Sequence, residues 1–284
     1  MRSRVLFVFA VAFGCCASQL YAASCVWKAT APDGRVIYLG GSVHALSRSD
    51  YPLPAAFNRA FEASNRLAFE VDHKALDEAS RGIDKAGEYP RSDSLKNHVD
   101  PRTYAYLKRL FGLLNVSEDK FAKYKPWYLA LMLQAPAMHG LSSDLGVEEF
   151  LMRRAQTNHK PTTGLETTQE HMDVFAGLTD KQSEAMLLLM FIPGDGPSSH
   201  GDLMRAWKRG DAETATRMVM DGFRDYPSLG NRILAARNQK WIPKIENYIH
   251  SGQTYFVVAG AAHFGGSQGV LALLRQRGYK IEQL

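Results

Sequence analysis

Strand-like apolar segments stand near both ends of this chain, and a long run of helical pattern separates them. Arg35–Gly40 (RVIYLG) and Arg66–Val71 (RLAFEV) lie near the start, and Thr254–Ala259 (TYFVVA) lies near the end. Their near-continuous apolar character suits buried strands with helices on both faces. An apolar strand must pair and be covered, so the helical middle has to fold back until the first and last strands share one sheet. Trp27–Thr30 precedes an Asp33-Gly34 turn and reads as the hairpin partner of Arg35–Gly40.

Between these strands the apolar spacing is helical. Pro54 opens one helix with Phe57, Ala60 and Phe61 on one face, and Pro101 opens another that stacks Tyr104, Leu107, Leu110, Phe111 and Leu114. Asp144 is placed to cap a third, with Val147, Phe150 and Leu151 inward and Glu148 in its first turns. Ser183–Ile192 and Asp202–Val219 read as helices joined by the loop Pro193–Gly201, followed by Asn231–Ile249 and Val270–Arg277. Lys160–Thr167 (KPTTGLET) fits either a strand or a loop. The helical middle thus covers about 75–250.

With 45% hydrophobic and 22% charged residues, the chain has an ordinary globular composition, which excludes disordered, collagenous and coiled-coil readings. Arg2 and Arg4 precede a 13-residue apolar stretch, Val5–Ala17, too short to span a bilayer, and small residues follow at Ala22, Ala23 and Ser24. Residues 1–24 therefore read as a signal peptide and 25–284 as one domain, periplasmic or secreted. A second reading takes Ala-Ala-Ser-Cys, ending at Cys25, as a weak lipobox whose cysteine anchors an envelope lipoprotein. Without Arg2 and Arg4 the chain carries 32 basic against 29 acidic residues, interspersed, which argues against a nucleic-acid partner. Cys15 and Cys16 leave with the leader, so Cys25 has no disulfide partner, which argues against thiolate metal sites and cysteine nucleophiles.

Two Gly-x-x-His sequences carry the strongest chemical signal. Gly41-Ser-Val-His44 follows the first strand and Gly260-Ala-Ala-His263 the last, both amid small residues. Ligands of open α/β sheets gather at the carboxyl ends of strands, where glycine admits close approach. Glu70 sits inside an apolar strand, where a carboxylate needs a partner, a proton or a metal; an outward position or a pair with Arg66 is the bland alternative. Glu148 and Glu149 are adjacent, so at most one faces a site, and Glu166 follows Gly164-Leu165. Imidazoles with carboxylates and no thiolates suit Mn²⁺, Co²⁺ or Zn²⁺. Such an ion activates water and polarises a carbonyl, leaving a carboxylate as base and an Arg for the oxyanion. His-Glu-x-x-His, Walker and dinucleotide motifs are absent from the sequence. Gly40-Gly-Ser42-Val-His44 misses a nucleophile elbow at its last position, which makes Ser42 a rival nucleophile.

Taken in order, Trp27-Lys28, YLGGSVH, FEVD, GVEEF, KPTTGLET, Arg237-Asn238 and VVAGAAHFGGSQGV resemble the TraB/GumN family, whose animal relatives are the Tiki metalloproteases. The resemblance spans residues 26–284. It implies an α/β fold with a central mixed sheet flanked by helices, similar to erythromycin-esterase-like and ChaN-like proteins, and a metal-dependent hydrolase, specifically a peptidase. The residues it marks are His44, Glu70 and His263 as metal ligands, with Glu148, Glu166, Arg237 and Asn238 as catalytic groups. One departure is His171, which stands where the family's Gln is expected, five residues after Glu166. The GumN name reflects association with exopolysaccharide genes. Two functional readings follow: an exported divalent-metal hydrolase acting on a peptide or protein, or a non-catalytic envelope protein that binds a peptide, haem or polysaccharide-pathway ligand in the same cleft.

Overall fold

The computed structural model describes residues 23–72, 82–134, 141–191 and 200–284; the expected leader before residue 23 and most of the loop expected over Pro193–Gly201 lie outside them. Six strands form one mixed sheet: β1 (Val26–Thr30), β2 (Val36–Ser42), β3 (Arg66–Val71), β4 (Thr162–Glu166), β5 (Tyr255–Gly260) and β6 (Lys280–Gln283). Their order across the sheet is β4-β3-β5-β2-β1-β6. The four strands β4, β3, β5 and β2 run parallel, and β1 pairs antiparallel with β2 and β6. The chain is an α/β protein. Its first and last apolar segments are neighbours, with Ser42 opposite Gly260 and Gly40 opposite Val258.

Helices of seven residues or more are numbered here in chain order: α1 (Ala55–Glu62), α2 (Pro101–Leu113), α3 (Pro126–Gln134), α4 (Val147–Thr157), α5 (Thr168–Ala176), α6 (Asp180–Leu189), α7 (His200–Lys208), α8 (Ala212–Gly222), α9 (Ala236–His250) and α10 (Val270–Gln276). The main core packs the sheet against α1, α4, α9 and α10 through Phe57, Phe61, Leu151, Trp241, Ile245 and Leu274, all buried. A smaller core, built from Leu95, Leu107, Phe111, Phe121, Leu129 and Leu187, holds α2, α3 and α6 together beside it.

Several local expectations change in the structure. KPTTGLET resolves as a strand, β4, inside the otherwise helical middle. The single helix expected over Asp202–Val219 is two, because Gly210 adopts φ +71 and Asp211 caps α8 by accepting from the Thr214 N–H. A Cβ at Gly210 would lie 2.7 Å from the Ser24 carbonyl carbon, so glycine at the break also lets the Ser24 backbone pack there. The helix expected to start at Ser183 starts at Asp180, since Thr179 and Gln182 form a capping box. Ser142 rather than Asp144 accepts the capping bond before α4, from the Asp144 N–H. Leu114, expected inward, is exposed beyond the end of α2. Strand β6 goes unseen in sequence because a short, half-exposed edge strand has no apolar run. Cys25 is buried with its Sγ 3.5 Å from the Trp207 carbonyl oxygen, and burial pushes its thiol up to about 12. A sulfur bearing a lipid would have to leave that packing. Among the described residues no helix is long and apolar enough to cross a membrane.

Candidate active site

The carboxyl ends of the four parallel strands bring the marked residues to one edge. Glu70 is the penultimate residue of β3, Glu166 ends β4, Ser42 ends β2, and Gly260 ends β5 just before the turn Ala261–His263. Register fixes the neighbours: Val71 pairs with Glu166 and Ser42 with Gly260. Arg237 and Asn238 come from α9, entered through one turn of π-helix at Asn231–Ala235. Such turns recur at functional sites.

Arg237 is the centre of the cluster. Its Nε and Nη2 donate to the two oxygens of Glu166 at 2.8 and 2.9 Å, and Nη2 also donates to Glu70 Oε2 at 2.6 Å. Nη1 donates to His263 Nε2 at 3.3 Å. Glu70 Oε1 accepts from the Gly260 backbone N–H at 2.7 Å and lies 3.9 Å from His263 Nε2. Glu166 also accepts from Trp241 Nε1 at 2.9 Å, and His171 Nδ1 is 3.2 Å from it. Arg66 is not the partner of Glu70; Arg237 is, and the pair is buried.

Burial acts against every charge here, and the partners outweigh it. It would raise the Glu70 carboxyl, yet Arg237 first, then the imidazoles of His263 and His44, hold it well below the usual carboxylate range. Glu166 is likewise raised by burial but brought down to about 2 by its bonds with His171 and Arg237. Burial would lower Arg237, and the two carboxylates drive it up instead. His263 is the exception: burial pushes it down to about 4, so the ring is neutral at pH 7.

Its tautomer follows from the hydrogen bonds. Asn238 Nδ2 donates to the carbonyls of His263 and Gln268 at 3.2 and 2.9 Å, which leaves Asn238 Oδ1 to accept from His263 Nδ1–H at 2.6 Å. The lone pair therefore sits on Nε2, facing Glu70 and Arg237. The Trp241 ring, tilted 39° to it with centroids 4.4 Å apart, packs against the imidazole and restricts its plane.

His44 lies two residues beyond β2, exposed at the rim, and acts electrostatically on both Glu70 and His263. Its loop is tied to the start of α4, where the Val147 N–H donates to the Val43 carbonyl at 3.1 Å. A Cβ at Gly146 would come within 2.4 Å of the His44 carbonyl oxygen, so glycine permits that contact. On the first turn of α4, Glu148 accepts from Ser42 Oγ at 2.7 Å, while Glu149 turns outward to Arg153. Ser42 thus holds a carboxylate, and among the described residues its hydroxyl bonds no imidazole.

Glu70, Glu166, Arg237, Asn238 and His263 form one hydrogen-bonded cluster, with His44 beside it and Glu148 reaching the neighbouring strand end. Trp241, the Gly260 N–H and the holding role of Ser42 were not marked by the sequence motifs. Trp241 carried a signal, since it stands four residues after Arg237 on one helix face. Among the described residues no group of three His, Cys, Asp or Glu side chains is arranged to hold a metal ion. The donor chemistry nevertheless suits one: an ionised carboxylate oxygen and a neutral imidazole nitrogen, its ring anchored through Nδ1, lie 3.9 Å apart.

Parallel strands that deliver paired carboxylates, an anchored imidazole and a buried guanidinium to one edge define an α/β protein with a polar, chemically capable centre. Compared with known families, the chain matches the TraB/PrgY/gumN family over residues 25–283, and it belongs to that family. It is 23% identical over 256 residues to a protein of Escherichia coli (strain K12) named "Uncharacterized protein YbaP", covering 87% of this chain and 90% of that one. It is also 23% identical over 272 residues to an uncharacterized protein of Treponema pallidum (strain Nichols), covering 88% and 80%. No solved structure matches the chain.

Proposed function

We propose that this protein is an exported hydrolase dependent on a divalent metal (Mn²⁺, Co²⁺ or Zn²⁺) and acting on peptide bonds. The observation that carries the reading is the Glu70–His263 pair, one group ionised and the other neutral, with the His263 Nε2 that bears the lone pair 3.9 Å from Glu70 Oε1. His44, Glu70 and His263 are the residues that would hold the ion. When bound, it supplies a polarised carbonyl and a water with pKa lowered toward ~7. Asn238 keeps the His263 ring in the useful tautomer. Glu166 is committed to Arg237, Trp241 and His171, so it positions the guanidinium rather than taking protons. Glu148, half-buried at the rim and oriented by Ser42, is the carboxylate suited to act as general base. Arg237 offers a fixed positive charge for a developing oxyanion. Export is supported by the basic and apolar leader.

One observation favours the non-catalytic reading: Arg237 already compensates both buried carboxylates. Metal analysis of the purified mature protein separates the two. The hydrolase reading expects about one equivalent of Mn²⁺, Co²⁺ or Zn²⁺ after reconstitution, and loss of both metal and peptide cleavage in Glu70→Gln and His263→Ala. Less than a tenth of an equivalent of every ion, with none taken up on addition, would leave a ligand-binding protein.

A further inference from the structure

A second concave feature adjoins the His44 loop. It is a cleft of about 460 Å³, within the ~300–1,000 Å³ range of small-ligand sites. Tyr51, Leu145 and Phe150 line its apolar side, and the two rings stand 5.3 Å apart at 60°. Arg48, Arg153 and Asp144 line its polar side.

The walls belong to the same two segments that build the candidate active site. The loop carrying His44 continues to Arg48 and Tyr51, and it is zipped to the approach of α4. Leu46 and Ser142 exchange backbone hydrogen bonds at 3.2 and 2.9 Å, and the Tyr51 hydroxyl donates to the Leu145 carbonyl at 2.7 Å. Helix α4 presents Glu148 toward Ser42 near its start and Phe150 and Arg153 to the cleft.

The charges in the cleft are unequally committed. Arg154, at its edge, pairs with Glu62 and stacks over Phe61, a structural contact. Arg153 donates to Glu149 at 2.6 Å and lies 3.7 Å from Asp144. Among the described residues Arg48 has no acidic partner. An uncommitted guanidinium lining the same cleft as an aromatic wall suits a carboxylate on an apolar stem, because the fork can bind it through two parallel hydrogen bonds while the stem covers the rings. Asp144 on the same rim repels a dianion such as phosphate more strongly than a single carboxylate.

We infer that this cleft is a recognition subsite for an acidic side chain of a peptide, which makes acidic peptides the substrate class. The inference rests on the peptidase reading of the adjoining site, since the cleft's walls continue into that site.

The test measures binding without turnover. Fluorescein-labelled Gly-Glu-Phe-Glu-Gly and its isostere Gly-Gln-Phe-Gln-Gly are titrated by fluorescence anisotropy against the mature protein in chelator. The acidic peptide should bind at least about tenfold tighter, in line with hydrogen bonds to charged groups. Arg48→Gln should shrink that preference to about twofold or less with an unchanged thermal melt, since the side chain is exposed. Phe150→Ala should weaken both peptides alike. Equal affinity for the two peptides, no binding of either, or a preference that survives Arg48→Gln combined with Arg153→Gln would overturn the subsite. A charge preference that vanishes with Arg48, in a protein that cleaves neither peptide when metal is supplied, would leave the subsite standing and remove the peptidase reading.

Discussion

His263 and His98 each lie close to two carboxylates, and the protein drives them in opposite directions. His263 is buried on the sheet edge, and burial takes it down to about 4 despite Glu70 and Glu166. His98 sits on the helical lobe, half-exposed, with Nε2 at 2.7 Å from Asp93 and Nδ1 at 3.0 Å from Asp180, its ring stacked on Tyr89. Partial burial pushes it down, but the two aspartates outweigh that and raise it. The difference lies first in how deeply each ring is buried, and then in what the carboxylates face. Around His263 they are spent on Arg237, and the one polar group on Nδ1 is an amide oxygen that accepts its hydrogen bond without favouring a charge. Around His98 both ring nitrogens meet carboxylates, so the doubly protonated ring fits better. Neighbouring acids do not by themselves make a charged histidine; burial of the ring decides first, and the Arg237 charge adds to it.

The largest effect expected from breaking this arrangement is Arg237→Ala. It leaves two buried carboxylates without their cation, and a loss of about 3–5 kcal/mol in urea unfolding at pH 7 is expected. Replacing the whole triad together (Glu70→Gln, Glu166→Gln, Arg237→Met) should recover much of that loss, because the cost comes from uncompensated charge. A single variant within about 1 kcal/mol of the parent would show that the guanidinium does not hold the carboxylates.

Asn238→Ala comes next. It removes the acceptor for His263 Nδ1–H and the donor for two carbonyls, for about 1–3 kcal/mol, and frees the ring to change tautomer. Imidazole ¹⁵N shifts should move from the Nδ1–H form to a mixture; unchanged shifts would mean that Trp241 alone sets the ring.

The smallest effect belongs to His98. Its raised folded value contributes stability that is complete below the unfolded value of ~6.5 and is lost as pH rises through the folded one. Exposure and screening keep this under about 1 kcal/mol. An NMR titration should show His98 titrating above the ordinary histidine value and Asp180→Asn lowering it, while His263 stays neutral down to about pH 4. Matching midpoints for the two rings would dissolve the contrast.

Much of the frame was legible in the residues. The apolar runs marked β2, β3 and β5, the Asp33-Gly34 turn gave the hairpin, and Pro54 and Pro101 marked two helix starts, because each signal acts over a few residues. Where a boundary depended on competing caps, as at Thr179 or Gly210, apolar periodicity alone misplaced it. Glu70 in an apolar strand announced a partner, yet the nearest candidate, Arg66, was the wrong one.

By itself the sequence determined that the segments of β1, β2, β3 and β5 are strands, that the two Gly-x-x-His turns follow β2 and β5, and that carboxylates and imidazoles dominate the polar groups there. Backbone propensity, turn chemistry and side-chain period are local and can be read along the chain. Only the tertiary structure decided which charges meet: Arg237 reaches Glu166 across 71 positions and Glu70 across 167. Parallel register between β2 and β5 set Ser42 beside Gly260, and the packing of α9 over the sheet edge chose the guanidinium as the cation the carboxylates face. Burial then fixed the protonation of His263, because the cost of a charge depends on the water that the fold removes.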